Sequence, residues 1–323
     1  MNRRRLIGLV SGAAVAWPLA LKAQQPTKMR RIAFVHSGIP ADRLTEGGGT
    51  FWIKRFYEEL RRLGYAEGTN LVVERFSADG NTSRFAAVAA DVANAKPNVV
   101  LSNHNNLVRE LMMANSTTPI VAITTDPVST GLITSMARPG GNVTGVSVIA
   151  GDGIDAKRVH ILKKAVPVAA NTGYLRAAGV EPLRLDAAIK VRALVDVSEA
   201  KLRNAFAEMG EQRVDAVIIG DSGSFLALST LIVELAAKHL IPAIYPYRDF
   251  VEKGGLIAYA PDLAELAKRM ALDVQQILGG ANPGDIPFYQ PTKFELVINL
   301  KTAKALGLDV SPALLARADE VIE

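Results

Sequence analysis

Short apolar runs alternate with amphipathic stretches along almost the whole chain. The apolar runs predict buried strands, whereas the stretches between them space their apolar side chains as an α-helix does. The first half has predicted strands at Arg31–His36, Asn70–Phe76, Val99–Ser102 and Pro119–Thr124, and predicted helices at Phe51–Leu63, Ser83–Ala95 and Leu107–Ala114.

The alternation repeats after the turn cluster Arg138–Asn142 and Gly145. Predicted strands are Tyr174–Leu175, Arg192–Val197, Val214–Gly220, Ile241–Tyr245, Leu256–Ala260 and Phe294–Leu300, and predicted helices are Glu199–Met209, Phe225–His239, Leu263–Leu278 and Thr302–Leu306. Strands that alternate with helices at this spacing predict parallel βαβ units. Two such halves predict an α/β fold of two doubly wound, Rossmann-like lobes.

Ligands of doubly wound sheets bind beyond the carboxyl ends of the strands. In both halves these positions hold small, polar or aromatic residues, and three groups precede helices whose N-terminal N–H groups would face a ligand. The candidate ligand-binding residues are Ser37, Ser102, Asn103, His104, Thr124, Thr125, Asp126, Asp221, Ser222, Tyr245 and Tyr259. Two structural alternatives remain open. Asp126-Pro127 is also typical of an ordinary turn, and Tyr245 and Tyr259 are also typical of core positions.

The first 23 residues predict an export signal. Asn2–Arg5 is basic, and Leu6–Leu21 is apolar or small apart from Ser11. A positively charged N-terminal region, an apolar run and a polar segment after it are typical of cleavable secretion signals. The paired arginines are also typical of a twin-arginine signal. The run is shorter than the roughly 20 apolar residues of a membrane span. We expect a periplasmic protein without membrane insertion after cleavage; an anchor or a buried helix is the alternative.

Composition limits the chemistry further. The chain has no cysteine, which excludes disulfides and thiolate metal sites. Its four histidines are too widely spaced for a zinc motif, so no metal or cofactor is expected. Four of the five net positive charges come from residues 1–23, which leaves +1 for the rest. Without a concentrated basic face, nucleic acid is not an expected partner.

Gly220–Ser224 invites comparison with serine hydrolases. A nucleophile elbow needs Gly-x-Ser-x-Gly, and Ser224 stands where the second glycine belongs. A polar binding loop after a strand, or a helix cap by Ser222 or Ser224, explains the segment better. A secreted hydrolase is kept as the weaker alternative.

Five segments carry a family resemblance, namely Thr125–Val128, Arg138–Val146, Ile241–Tyr245, Gln290–Leu308 and Leu314–Glu323. Over essentially its whole length the chain resembles the periplasmic substrate-binding proteins of ABC transporters, in the tryptophan/tyrosine-binding-like group. The resemblance implies a type I periplasmic-binding fold and no catalysis. It places lobe one at 28–146 plus 261–290 and lobe two at 147–260 plus 291–323. A three-strand hinge would include Gly145, Val146, Tyr259 and Pro291.

The resemblance also implies a monomer that captures a small polar or aromatic amino-acid-like ligand by hinge closure and delivers it to a membrane permease. The ligand carboxylate would meet helix N-termini and the hydroxyls of Ser37, Ser102, Thr124 and Thr125. Asp221, supported by Asp126, would take the ammonium group, and Tyr245, Tyr259 or His104 would contact the side chain. A sensor subunit that presents ligand without transport is the main alternative.

One departure from the family pattern concerns Pro182–Val197, where a helix, a turn and a strand are compressed. A βαβ crossover needs about a dozen residues or more. The shortage predicts a locally rearranged or less stable second lobe.

Overall fold

The computed structural model describes residues 29–48, 50–148, 154–177, 189–194 and 197–323. The predicted export signal and most of the compressed segment lie outside the described residues. Among the described residues, no helix has the length and apolarity to cross a membrane.

The first sheet has five parallel strands in the order β2-β1-β3-β4-β5. Its strands are β1 (Arg30–His36), β2 (Leu71–Ser77), β3 (Val99–Asn103), β4 (Ile120–Thr124) and β5 (Val143–Ser147). The helices between them are α1 (Phe51–Arg62), α2 (Phe85–Ala95) and α3 (Asn105–Ala114). The central strands β1, β3 and β4 are largely apolar on both faces, because helices cover a parallel sheet on both sides.

The second sheet has the order β12-β11-β10-β9-β8-β6-β7 and is parallel except where β10 meets β11. Its strands are β6 (Thr172–Ala177), β7 (Lys190–Leu194), β8 (Ala216–Ile219), β9 (Ala243–Tyr245), β10 (Ile257–Pro261), β11 (Phe294–Asn299) and β12 (Glu320–Ile322). Its helices are α4 (Ile154–Ala165), α5 (Glu199–Glu211), α6 (Gly223–Ala227), α7 (Ser229–Lys238), α8 (Arg248–Glu252), α10 (Leu300–Ala305) and α11 (Pro312–Leu315). The predicted two-sheet α/β architecture is confirmed.

The helix α9 (Leu263–Leu278) follows β10 of the second sheet in sequence but packs against α1 and the first sheet. It starts where the Asp262 carboxylate accepts hydrogen bonds from the N–H groups of Ala264 and Glu265, at 2.9 and 3.1 Å. Such an N-cap satisfies donors that the first helical turn leaves free. The cap fixes the point at which the chain leaves β10 and returns to the first sheet.

Neighbouring segments cross between the sheets. The N–H of Ser147 donates to the carbonyl of Tyr289 at 2.8 Å, and Pro261 pairs with Phe294 at the end of the β10–β11 ladder. Gly145, just before the first crossing, has φ +140°, and a Cβ there would lie 2.1 Å from the carbonyl oxygen of Ala122. Only glycine lets β5 approach β4 this closely.

Three parts of the pattern differ from the sequence predictions. The predicted helix Phe225–His239 is wrong as a single element, because α6 ends before α7 begins and Leu228 lies between them with φ −101°. The helices α4 and α8 were not predicted. The helix α4 buries two charged residues, Asp155 and Arg158, which hides its apolar face from a periodicity search.

Asp273 lies on α9, and its buried carboxyl group receives little stabilisation from neighbouring side chains. Its side chain is fully buried, and neither carboxylate oxygen accepts a hydrogen bond from a described residue. Arg269 Nε lies 3.2 Å from Oδ1. Burial raises the pKa of Asp273 to about 7, and the charge of Arg269 only partly opposes this shift.

We predict that Asp273→Asn stabilises the protein at pH 8 and changes little at pH 4. A carboxyl whose pKa is raised by folding contributes most below its unfolded value, and the contribution is lost as the pH rises through about 7. Three pKa units correspond to about 4 kcal/mol, which is the upper bound for the gain. Urea denaturation at both pH values measures it, with exposed Asp309→Asn as the control. A gain that is equal at both pH values would contradict the assignment.

Candidate functional site

A cavity lies between the two sheets and is lined from both sides. The first side contributes the polar residues His36, Asn103, His104, Asn105, Asn106, Thr124 and Thr125. The second side contributes Asp221, Ser222, Gly223, Leu226 and Tyr247. The apolar wall on the first side consists of Trp52, Ile123, Leu263, Leu266, Ala267 and Met270, and Val148 lies at the crossing.

The cavity can hold a small organic molecule. Its volume is about 90 Å³. One water molecule needs roughly 10–15 Å³ on this measure. A solute of several heavy atoms therefore fits between the lobes.

The polar wall of the first side is built at the carboxyl end of β4 and the start of α3. Asn105 braces it, since its Nδ2 donates to the carbonyl of Thr125 at 2.6 Å and its Oδ1 accepts from the N–H of Thr125 at 3.0 Å. Two buried polar atoms at this wall, Thr124 Oγ1 and His104 Nδ1, have no hydrogen-bond partner among the described residues. Burial lowers the pKa of His104, which keeps the imidazole neutral. This wall offers neutral, unpartnered polar groups beside a helix N-terminus.

The polar wall of the second side depends on a buried ion-pair cluster. Arg158 is fully buried and places Nη1 2.5 Å from Asp221 Oδ2 and 3.1 Å from Asp155 Oδ1. Tyr174 donates its hydroxyl to the other oxygen of Asp155 at 3.1 Å. Burial raises the pKa of Asp155, and the charge of Arg158 opposes that shift. Two carboxyl groups share one guanidinium, so the formal charge of the cluster behind the cavity is −1 when both are ionised.

The predicted binding residues divide into two groups. The structure brings six of them to the cavity, namely Asn103, His104, Thr124, Thr125, Asp221 and Ser222. Five lie outside its lining, namely Ser37, Ser102, Asp126, Tyr245 and Tyr259.

Three polar residues outside the lining have structural partners. Ser37 Oγ accepts from Asn103 Nδ2 at 3.0 Å, and this bond holds the Asn103 amide in place. Ser102 is buried and its hydroxyl faces the carbonyl of Asn103 at 3.4 Å. Asp126 is exposed with φ +41° and accepts from the N–H of Ser129, as in a turn.

Neither of the two tyrosines that were expected to contact the ligand side chain, Tyr245 and Tyr259, lines the cavity. Tyr245 is 1% exposed and stacks on Phe250 with ring centroids 4.9 Å apart, so it belongs to the core. Tyr259 stacks on Phe294 at 5.6 Å near the crossing. Tyr247 lines the cavity instead.

Sequence reasoning missed the apolar wall and the ion-pair cluster. Trp52 lies in the first turn of α1, and Leu266 and Met270 lie on one face of α9. In the sequence these positions look like ordinary core positions of amphipathic helices. A basic residue within an apolar helical face, such as Arg158, is the one available signal, because a fully buried arginine needs acidic partners.

The two lobes touch beside the cavity through backbone. A Cβ at Gly223 would lie 2.5 Å from Asn103 Nδ2 and 3.0 Å from Ser37 Oγ. A Cβ at Gly38 would lie 3.2 Å from the Cα of Ser224. The two lobes are therefore in contact beside the cavity.

The serine-rich loop has a capping role. Ser222 Oγ accepts from the N–H of Ser224 at 3.2 Å, at the start of α6. No described histidine hydrogen-bonds to either serine. Among the described residues, no group of three His, Asp or Glu side chains is placed to hold a metal ion.

Two parallel-sheet lobes that enclose a solute-sized cavity define a type I periplasmic-binding protein. The family model "ABC transporter substrate binding protein" matches residues 51–322. The chain belongs to this family.

Curated and solved relatives agree with the assignment. A tyrosine-binding protein of Clostridioides difficile is 23% identical over 269 residues, covering 79% of this chain and 76% of that protein. A conserved domain protein of Vibrio cholerae is 24% identical with a TM-score of 0.79, covering 91% of this chain and 100% of that one. The ABC domain of a Streptococcus protein in complex with L-Trp is 21% identical with a TM-score of 0.77, at the same coverage.

We predict that Arg158→Met destabilises the protein by about 3–5 kcal/mol at pH 7, because it leaves two buried carboxylates unpaired. The loss should shrink toward pH 4, because burial raises the pKa of Asp155 and its protonation removes one of the unpaired charges. Urea denaturation measures both values. The control is Arg203→Met, which breaks an exposed pair with Glu199 and should have no measurable effect. A loss no larger than the control would contradict the role of the cluster.

Proposed function

We propose that the protein is the periplasmic solute-binding component of an ABC import system and captures an amino-acid-like ligand by closing its two lobes. The observation that carries the proposal is the polarity of the cavity. Unpartnered neutral donors lie on one wall, excess negative charge lies on the opposite wall, and an apolar wall lies beside them. An aromatic amino acid matches all three.

The ligand carboxylate would bind at the start of α3. N–H groups of a helix N-terminus point at an anion there and carry partial positive charge. Thr124 Oγ1 and His104 Nδ1 supply the unpartnered polar atoms beside it. Charge-assisted bonds of this kind are about twice as strong as neutral ones.

The ligand ammonium group would face Asp221. Both of its oxygens already contact Arg158, at 2.5 and 3.3 Å. A carboxylate has about four lone-pair sites, so acceptor capacity remains. The excess charge of the cluster with Asp155 favours a cationic group at this wall.

The ligand side chain would lie against Trp52, Leu266 and Met270. These residues offer an aromatic face and a polarisable thioether, which suit an aromatic ring. The names of the relatives support this choice, since one is a tyrosine-binding protein and another was solved with L-Trp. We therefore use L-tryptophan and L-tyrosine as probes.

Closure would present the liganded form to a membrane permease, and ATP would be used on the cytoplasmic side. Gly145, Val146, Tyr259 and Pro291 are the proposed hinge. The ligand shifts the population toward the closed form only to the extent that it binds that form better.

Asp221→Asn tests the ammonium contact. We expect calorimetry to show at least a tenfold loss of affinity for L-tryptophan, because the variant removes a charge-assisted contact of about 1.5–3 kcal/mol. Affinity for indole-3-propionate, which lacks the ammonium group, should change much less. Exposed Asp309→Asn is the matched control.

An equal loss for both ligands would show that Asp221 acts only through the structure of the second lobe. Unchanged affinity for L-tryptophan would remove the assignment of Asp221. Failure of wild-type protein to bind either amino acid would refute the ligand class.

Gly223→Ala tests closure. The added methyl would lie 2.5 Å from Asn103 Nδ2 across the lobe contact, so we expect weaker ligand binding with little change in thermal stability. Small-angle scattering should show that ligand no longer compacts the variant as it compacts the wild type. The control is Gly47→Ala on the surface, where a Cβ meets nothing within 4 Å. Unaltered compaction in Gly223→Ala would contradict closure at this contact.

A further inference from the structure

His36 ends β1 and presents its ring to the cavity. The residue is 2% exposed, and its ring stacks on Trp52 with centroids 6.4 Å apart and planes inclined by 27°. It was absent from the candidate residues because a lone histidine at the end of an apolar strand carries no motif.

Two backbone amides fix the state of this ring. The N–H groups of Gly38 and Ile39 donate to His36 Nδ1, at 3.0 and 2.8 Å. A nitrogen that accepts hydrogen bonds carries no proton, so a neutral ring must hold its proton on Nε2. Among the described residues, Nε2 has no hydrogen-bond partner.

We infer that His36 is a ligand-binding residue that offers Nε2–H as a permanently neutral donor to an acceptor oxygen of the ligand. This inference rests on the proposed function, since it assumes that the cavity binds a solute. It adds a contact that depends on neither Asp221 nor the start of α3. A ligand with a carboxylate, carbonyl or hydroxyl oxygen at this place would satisfy the donor.

The surroundings keep the ring neutral. Burial lowers the pKa of His36 to about 3, and the neighbouring His104 adds to the shift. Asp221 faces the same cavity from the other lobe, and its charge does not overcome the burial. Protonation would also place a proton on Nδ1 against two N–H donors. The donor is therefore available, without titration, across pH 5 to 8.

Nitrogen-15 NMR of the histidine rings tests the inference directly on the wild-type protein. We expect the Nε2–H tautomer for His36 and no titration between pH 5 and 8, with exposed His160 as the reference in the same spectrum. Saturation with L-tryptophan should shift the Nε2 and Hε2 resonances and slow the exchange of this proton. An Nδ1–H tautomer, protonation within that range, or resonances unmoved by bound L-tryptophan would overturn the inference.

His36→Phe provides the second arm. It keeps a ring beside Trp52 and removes the donor, so affinity for L-tryptophan should fall about tenfold or more, whereas His160→Phe should bind as the wild type does. Unchanged affinity in a folded His36→Phe protein would also overturn the inference. If the wild-type protein binds neither amino acid, the proposed ligand class is wrong. In that case the tautomer of His36 in the free protein still tests the inference about this residue.

Discussion

Arg158 holds the second lobe together at the point where that lobe lines the cavity. Its guanidinium joins Asp155 of α4 to Asp221, which follows β8, and its Nε donates to the carbonyl of Tyr259 on β10 at 3.0 Å. A buried cation is tolerated only where its charge and its donors are matched. Three elements are therefore tied to one side chain, and the position of Asp221 at the cavity depends on that connection. The carbonyl of Tyr259 also lies next to the segment that crosses to α9.

The first lobe builds its wall in another way. Asn105 fixes the end of β4 through two bonds to the Thr125 backbone, and Ser37 fixes the amide of Asn103. These bonds are neutral and leave Thr124 Oγ1 and His104 Nδ1 free for other partners. The wall of the second lobe thus contains the acidic groups of an ion-pair cluster, whereas the wall of the first lobe presents neutral polar groups. This contrast would give the proposed zwitterionic ligand one orientation between the two walls.

The sequence predicted the architecture because strand periodicity and helix spacing are local properties. It also placed Asn103, His104, Thr124, Thr125, Asp221 and Ser222 at strand ends, where doubly wound sheets bind ligands. It could not find Trp52 or Met270, because which face of a helix turns to a cavity depends on tertiary packing. Tyr245 shows the opposite error. It lies at a strand end and was predicted to contact the ligand, but it is part of the core and stacks on Phe250. The role of Arg158 was missed because two of its partners, Asp221 and the Tyr259 carbonyl, lie 63 and 101 residues away in sequence.

The energetics of the proposed closure follow from the contacts at the lobe boundary. Away from the cavity, the Arg248 guanidinium lies 5.3 Å from the centre of the Phe51 ring, and the Asp249 carboxylate lies near the backbone N–H of Phe51 at the start of α1. A cation–π contact of this kind contributes about 0.5–1 kcal/mol, and a carboxylate at a helix N-terminus about as much. Closing the lobes would also remove the Thr124 hydroxyl and the His104 ring from bulk water. Leaving each of these polar groups unpaired costs about 1–3 kcal/mol. In the proposed closure, a ligand that bonds to these groups would remove that cost and would therefore favour the closed form.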